Sequence, residues 1–297
     1  MRKPPQGEAL AVWALVVLDV LAVLVTYSVV DPSELFSVTR DGLAGGFGRA
    51  LVQLDFPHVA GAAIPITLLA LDVLPRRAWL VGAPTIALCA VFAWPGVVDS
   101  DDLDPKPVNV LPAVGVVLAA ALTVAAARRA GIGFAPRRSG DGLRIAVAVG
   151  VVLVSLPWIT AEAGFHLPGG VFLTDEPYAE PGEGVTAAVH LGHHHGFMGA
   201  LLVLLALLLS RPRLVDALLG HAYALLVSLM LAYGAANLVQ DLWHEQVVKR
   251  GWTSSDIPSV TTPRLAAIWA LVLAGTALAY ALGFARRAEP AEPAIIT

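Results

Sequence analysis

Eight apolar runs dominate the chain: residues 10–30, 56–74, 78–95, 108–127, 143–161, 185–209, 214–244 and 263–284. Each holds about 18 residues or more, the length a helix needs to cross a hydrocarbon core of about 30 Å. The pattern predicts an all-α integral membrane protein, a bundle of about eight transmembrane helices. The sixth run is unusual. Its unbroken apolar part, from Phe197 to Leu209, makes only about 20 Å of helix. A crossing helix must therefore start near Val185 or Thr186, which draws His190, His193, His194 and His195 into the outer part of the membrane. Imidazoles at that depth need a protein interior, a wet cavity or a metal.

Composition agrees with the runs. Mean hydropathy is +0.73, with 57% hydrophobic and 14% charged residues, too apolar for a soluble domain. Arginine and lysine set the expected orientation. With a cytoplasmic N-terminus, thirteen of the nineteen fall inside, at Arg2, Lys3, Arg76, Arg77, Arg128, Arg129, Arg137, Arg138, Arg144, Arg211, Arg213, Arg286 and Arg287. Both termini are thus expected in the cytoplasm of a multi-pass cell-membrane protein. The first run lacks a small-residue cleavage site and reads as a retained span. Cys89 is the single cysteine, which excludes an intrachain disulfide and a cysteine-rich zinc site. No basic patch with interleaved aromatics suggests nucleic acid.

Loop lengths repeat, suggesting two parallel four-helix halves. Residues 1–127 form the first, 128–142 a cytoplasmic linker, 143–285 the second half with the histidines, and 286–297 a cytoplasmic tail. Leu68-Leu69-Ala70-Leu71 aligns with Leu204-Leu205-Ala206-Leu207, and that offset, or one residue less, brings His58 over His194 or His193.

On a helix His190, His193 and His194 would share a face. Tyr233, Asn237, Asp241 and His244 recur at steps of four, four and three, making a polar stripe on the seventh span. These residues predict an outward-facing pocket that binds a divalent metal, zinc or iron rather than copper, through His58, His190, His193, His194 and His244. Glu162 and Asp241 are the candidate catalytic bases for hydrolysis or oxidation of a lipid-like or small amphiphilic substrate. A cation or proton carrier using Asp19, His221 and the cluster is an alternative, and a scaffold without catalysis is another. Polar ends such as His244-Glu245 also fit contacts with lipid headgroups. Asp72 and Asp216 fit interfacial pairs with Arg76 and Arg213.

His190-Leu191-Gly192-His193-His194 resembles, over five residues, the histidine boxes of membrane fatty-acid desaturases and alkane hydroxylases. Those families hold two irons with several boxes on the cytoplasmic side. This chain has one box on its expected outer side, and the di-iron chemistry is not carried over. His190, His194 and His58 are similar, in a minimal sense, to the histidines of seven-span metal-dependent lipid hydrolases. No P-loop, nucleophile elbow or H-E-x-x-H motif occurs.

Overall fold

A computed structural model describes residues 4–99, 101–180, 184–260 and 266–284. Ten helices form the all-α body: α1 Gly7–Val29, α2 Gly42–Gln53, α3 Ala62–Val73, α4 Trp79–Ala90, α5 Val110–Ala130, α6 Asp141–Val154, α7 Leu156–Glu162, α8 His195–Leu209, α9 Ala217–Trp243 and α10 Ala267–Ala279. A small antiparallel hairpin, β1 Pro177–Glu180 and β2 Gly184–Ala187, pairs Pro177 with Ala187 and Glu180 with Gly184.

Every one of the eight apolar runs carries a helix, but length separates them. Gly7–Val29, Arg76–Ala93, Pro107–Ala130 and Ala217–Val248 are long and apolar enough to cross a membrane. Two bent pairs bring the total to six if each is one span. The first joins Gly42–Gln53 to Pro57–Val73 at 44°, the second joins Asp141–Val154 to Leu156–Glu162 at 62°. Both breaks sit at prolines, Pro57 and Pro157, whose missing N–H and ring interrupt the helical ladder. His195–Leu209 and Ala267–Gly283 are shorter apolar helices. The expected tail, 286–297, lies outside the described residues.

Three expectations are corrected. The segment 31–55, which the hydropathy pattern leaves as a long loop between the first two runs, is not a plain loop, because α2 lies within it and packs along α1. The sixth run does not start its helix near Val185. Residues 184–187 are strand, and α8 begins at His195. Asp72 and Asp216 act as caps: Asp72 accepts the Val215 and Asp216 N–H groups at 2.7 and 2.9 Å, and Asp216 accepts that of Leu219 at 3.0 Å.

The largest apolar cluster draws on both expected halves, from Ala9, Val12 and Val16 through Ile66 and Leu69 to Leu205, Val227 and Met230. Helices α8 and α9 approach closely through small residues. A Cβ on Gly199 would stand 2.5 Å from the Gly234 carbonyl oxygen, and one on Gly234 would stand 2.7 Å from Leu202 Cβ. This contact sets the register of α8 against α9, so that Gly196 faces Asp241. Large apolar side chains point outward on several helices, including Leu18 on α1, Leu80 on α4 and Leu271 on α10.

Candidate metal site

The histidine segment is a loop, yet it is not in open solvent. His193 and His194 are 2% and 3% exposed. Backbone bonds stitch the segment to distant elements. Val189 N–H donates to Thr174 O, Phe36 N–H to Leu191 O and Gly192 N–H to Ala161 O. His193 N–H donates to the Tyr27 hydroxyl at 3.0 Å. Gly192 makes the turn possible. Its φ is +92°, and a Cβ there would lie 2.3 Å from Tyr27 Oη.

Within this frame His190 and His194 come together. Their rings stack at 4.0 Å, and Phe36 covers the other side of His190 at 4.3 Å. His194 Nε2 lies 2.7 Å from the His190 carbonyl oxygen, an acceptor, so Nε2 carries the proton and Nδ1 presents a lone pair. Glu245 Oε1 faces Nδ1 at 3.4 Å, an arrangement that a proton or a metal ion between the two satisfies. The second oxygen of Glu245 accepts the Trp158 indole N–H, which fixes the carboxylate. One ligand atom from each of His190, His194 and Glu245 lies within 4.8 Å of the other two. Two ligands about 2.1 Å from a tetrahedral ion lie about 3.4 Å apart, the spacing of His194 Nδ1 and Glu245 Oε1. The donor set of two imidazoles and one carboxylate suits a divalent ion, and both His194 and Glu245 carry the outer partners that orient metal ligands.

Desolvation, and then His194, hold His190 well below the ordinary histidine range. At His194 burial also works against the charged form, but Glu245, Asp241 and the His190 carbonyl outweigh it and raise its pKa.

These groups line a pocket of about 220 Å³, with Phe36, His193, His195, Gln240, Asp241, His244, Lys249 and Asp256 also in its wall. Lys249 Nζ donates to the Ala188 carbonyl at 3.0 Å and lies 5.2 Å from the Tyr178 ring centre.

Comparison with known protein families, curated proteins and solved structures gives no match to this chain.

The other expected residues divide. His193 lines the pocket but its Nδ1 accepts from Arg49 Nη2 at 3.2 Å, so the proton sits on Nε2 and neither nitrogen offers a free lone pair. His244 stands at the mouth, with Nδ1 2.7 Å from Asp256 Oδ2. Asp241 accepts the Gly196 N–H and thereby holds the start of α8. Glu162 is not in the pocket wall. It lies buried at the end of α7, and its side-chain oxygens have no protein partner among the described residues.

His58 does not reach the pocket. It is buried in the π-helical turn Pro57–Gly61, where its Nε2 lies 3.1 Å from Asp19 Oδ2. Gln53 Nε2 donates to both Asp19 oxygens at 2.9 Å. Asp19 therefore pairs with His58 and Gln53 rather than with His221, which is exposed and bonds the Tyr280 hydroxyl at 2.6 Å. Arg49, one turn before Gln53 on α2, is 1% exposed and lies over Tyr27 and Phe56. A polar interior thus runs from the pocket through His193 and Arg49 to Gln53, Asp19 and His58. Beyond Asp19 the buried face of α1 is Val16, Val12 and Ala9.

Glu245 is the metal-site residue that sequence reading missed. The stripe's own step of four leads from Asp241 to residue 245, whereas the choice of His244 followed residue type. The π-helical turn His244–Val248 ends α9 and carries Glu245 inward, where it is 5% exposed.

Proposed function

We propose that the chain is a multi-pass membrane protein whose outer pocket binds a divalent metal through His190, His194 and Glu245. The observation that carries this reading is the 3.4 Å approach of His194 Nδ1 to Glu245 Oε1, each held from behind by a second hydrogen bond. Two histidines and one glutamate form a ligand set that catalytic zinc uses, with the fourth position open to water or substrate. The adjoining pocket provides that open side. A bound metal would supply an acidified water or a polarised carbonyl or phosphoryl oxygen. The chain's own groups position the reaction: Asp241 and Gln240 line one wall, and Lys249 supplies a cation.

The volume also limits the substrate. About 220 Å³ is below the ~300–1,000 Å³ of drug-sized sites. A lipid headgroup or a small ester fits, and an acyl chain would remain outside. Two imidazoles and one carboxylate are the ligand set of hydrolytic zinc and also of non-haem iron(II) oxygenases, so the metal found in the purified protein decides between hydrolysis and oxidation.

Metal analysis of full-length protein purified in detergent, away from chelators, tests the proposal. One equivalent of zinc or iron is expected, lost in His194→Ala and Glu245→Gln. Native protein without stoichiometric metal overturns the reading.

A further inference from the structure

At the far end of α8 from the pocket, three segments meet: the start of α1, the stretch 131–141 leading into α6, and the turn from Arg211 to Asp216. Gln6 and Gly7 N–H groups donate to the carbonyls of Gly131 and Gly133 at 3.2 and 3.1 Å, so the first two are tied by backbone. The buried Glu8 accepts the Ala135 N–H at 2.8 Å. Arg211 Nη2 donates to the Ala135 carbonyl at 2.7 Å and joins the third segment to them.

Arginines converge here on few acids. Asp141 Oδ1 accepts Arg144 Nη1 at 2.8 Å, and Arg144 Nε donates to Ser210 Oγ at 2.9 Å. Asp141 Oδ2 accepts the Arg138 backbone N–H at 3.0 Å and lies 3.5 Å from Arg211 Nη2. Glu8 faces Arg211 Nε at 3.8 Å. Asp141 is therefore already engaged by three different residues. Arg138 Nη1 is buried and has no protein partner among the described residues. Desolvation, and then the charges of Arg213, Arg144 and Arg211, disfavour the charged form of Arg138. Arg138, Arg144, Arg211 and Arg213 face Glu8 and Asp141, while the other two acids at this turn, Asp72 and Asp216, are engaged by backbone N–H groups.

Apolar side chains stand beside the cluster. Phe134 is 60% exposed, Leu143 71% and Ile145 65%. Phe134 is on the same stretch as Arg138, and Leu143 and Ile145 flank Arg144 on the first turns of α6. A concentrated positive charge beside exposed apolar side chains matches one amphiphile, a phosphate carried on acyl chains. Free phosphate would use the arginines and leave these apolar side chains unexplained. Arginine suits this role because its planar donors match phosphate oxygens, and basic pockets between spans hold anionic headgroups.

We propose that Arg138, Arg144, Arg211 and Arg213 form a binding site for the phosphodiester of an anionic phospholipid, with its acyl chains along Phe134, Leu143 and Ile145. The site rests on the membrane reading above but not on the metal.

The test uses the full chain in detergent, loaded with phosphatidylglycerol or phosphatidylcholine, with retained lipid counted by native mass spectrometry. Native protein is expected to retain phosphatidylglycerol about tenfold better than phosphatidylcholine. Arg138→Gln with Arg213→Gln should remove that preference while leaving metal content and thermal unfolding unchanged. Arg138→Lys with Arg213→Lys should keep most of it, and serves as the comparison if the glutamine pair does not fold. Equal retention of the two lipids by native protein overturns the site. So does full phosphatidylglycerol retention by a folded glutamine pair. Displacement of phosphatidylglycerol by millimolar inorganic phosphate would show a free-phosphate site and overturn the lipid assignment. Native protein that keeps the lipid preference but holds no metal would instead count against the metal reading alone.

Discussion

His194 divides its two nitrogens between structure and chemistry. One proton is fixed on Nε2 by the His190 carbonyl, and the lone pair is left on Nδ1 opposite Glu245. Protons therefore compete with metal at Nδ1. Because His194 has a raised pKa, that competition persists above the ordinary histidine range, while His190 stays neutral and adds little. Metal affinity should rise about tenfold per pH unit below the His194 pKa and level off above it, as expected for one displaced proton. Calorimetric titration with zinc between pH 5.5 and 8.5 reads this slope, and a flat profile would show that no ligand is deprotonated. Trp158 matters by the same logic. Trp158→Phe keeps the ring but drops the N–H held by Glu245, and should weaken metal binding about 10–100-fold, measured by the same titration. The histidines and the polar stripe were legible from spacing and residue type. Glu245 is passed over for His244 on residue type, although the stripe's step of four from Asp241 reaches it.

Elements depart from the hydropathy pattern where distant partners override local preference. The run 185–209 is apolar enough to suggest one long helix. Its first part instead pairs with 177–180 as strand, and its next seven residues bond to residues 27, 35–36, 161 and 174–176. The strand partner 177–180 is adjacent, but Tyr27, Leu35, Phe36 and Ala161 are remote in sequence, so no local period announces them. Gly192 was the local signal, since a helix entering the membrane has no need of a left-handed residue. Gly192→Ala meets both the positive φ and the Tyr27 hydroxyl. It should destabilise the fold by at least about 1–2 kcal/mol and lower metal occupancy, read from thermal unfolding and metal analysis. Gly199→Leu attacks a different contact, the α8–α9 approach, and overpacking should cost about 1–3 kcal/mol or more. A native unfolding midpoint in Gly199→Leu would show that the two helices do not pack this closely. The helix-bearing runs themselves were readable throughout, since a run of apolar residues needs only its own backbone to form a helix.

At the scale of the whole molecule, most buried charges lie on the pocket side, with Glu8 buried at the opposite end. Arg49 and Glu162 are both buried without a direct ion pair between them, while Asp19 is matched by His58 and Gln53. Removing one member of such a set leaves its neighbours exposed to an uncompensated charge. Arg49→Met should therefore destabilise the protein by about 3 kcal/mol or more, and the double change Arg49→Met with Glu162→Gln by less than the sum of the singles. Additive losses in denaturant unfolding would separate the two residues. His58 could not be placed from the sequence, since the apparent repeat drew it toward the cluster; the helix α2 that supplies Gln53 and Arg49 was hidden in a segment read as loop.

The buried face of α1 beyond Asp19 has a further consequence. Val16, Val12 and Ala9 belong to the largest apolar cluster, with Ile66, Leu69 and Val227 around them. Such packing is an electrical insulator. Liposomes containing the protein should hold an imposed pH gradient as long as empty ones do, and a leak that scales with the amount of protein would show that hydrogen ions find a way through.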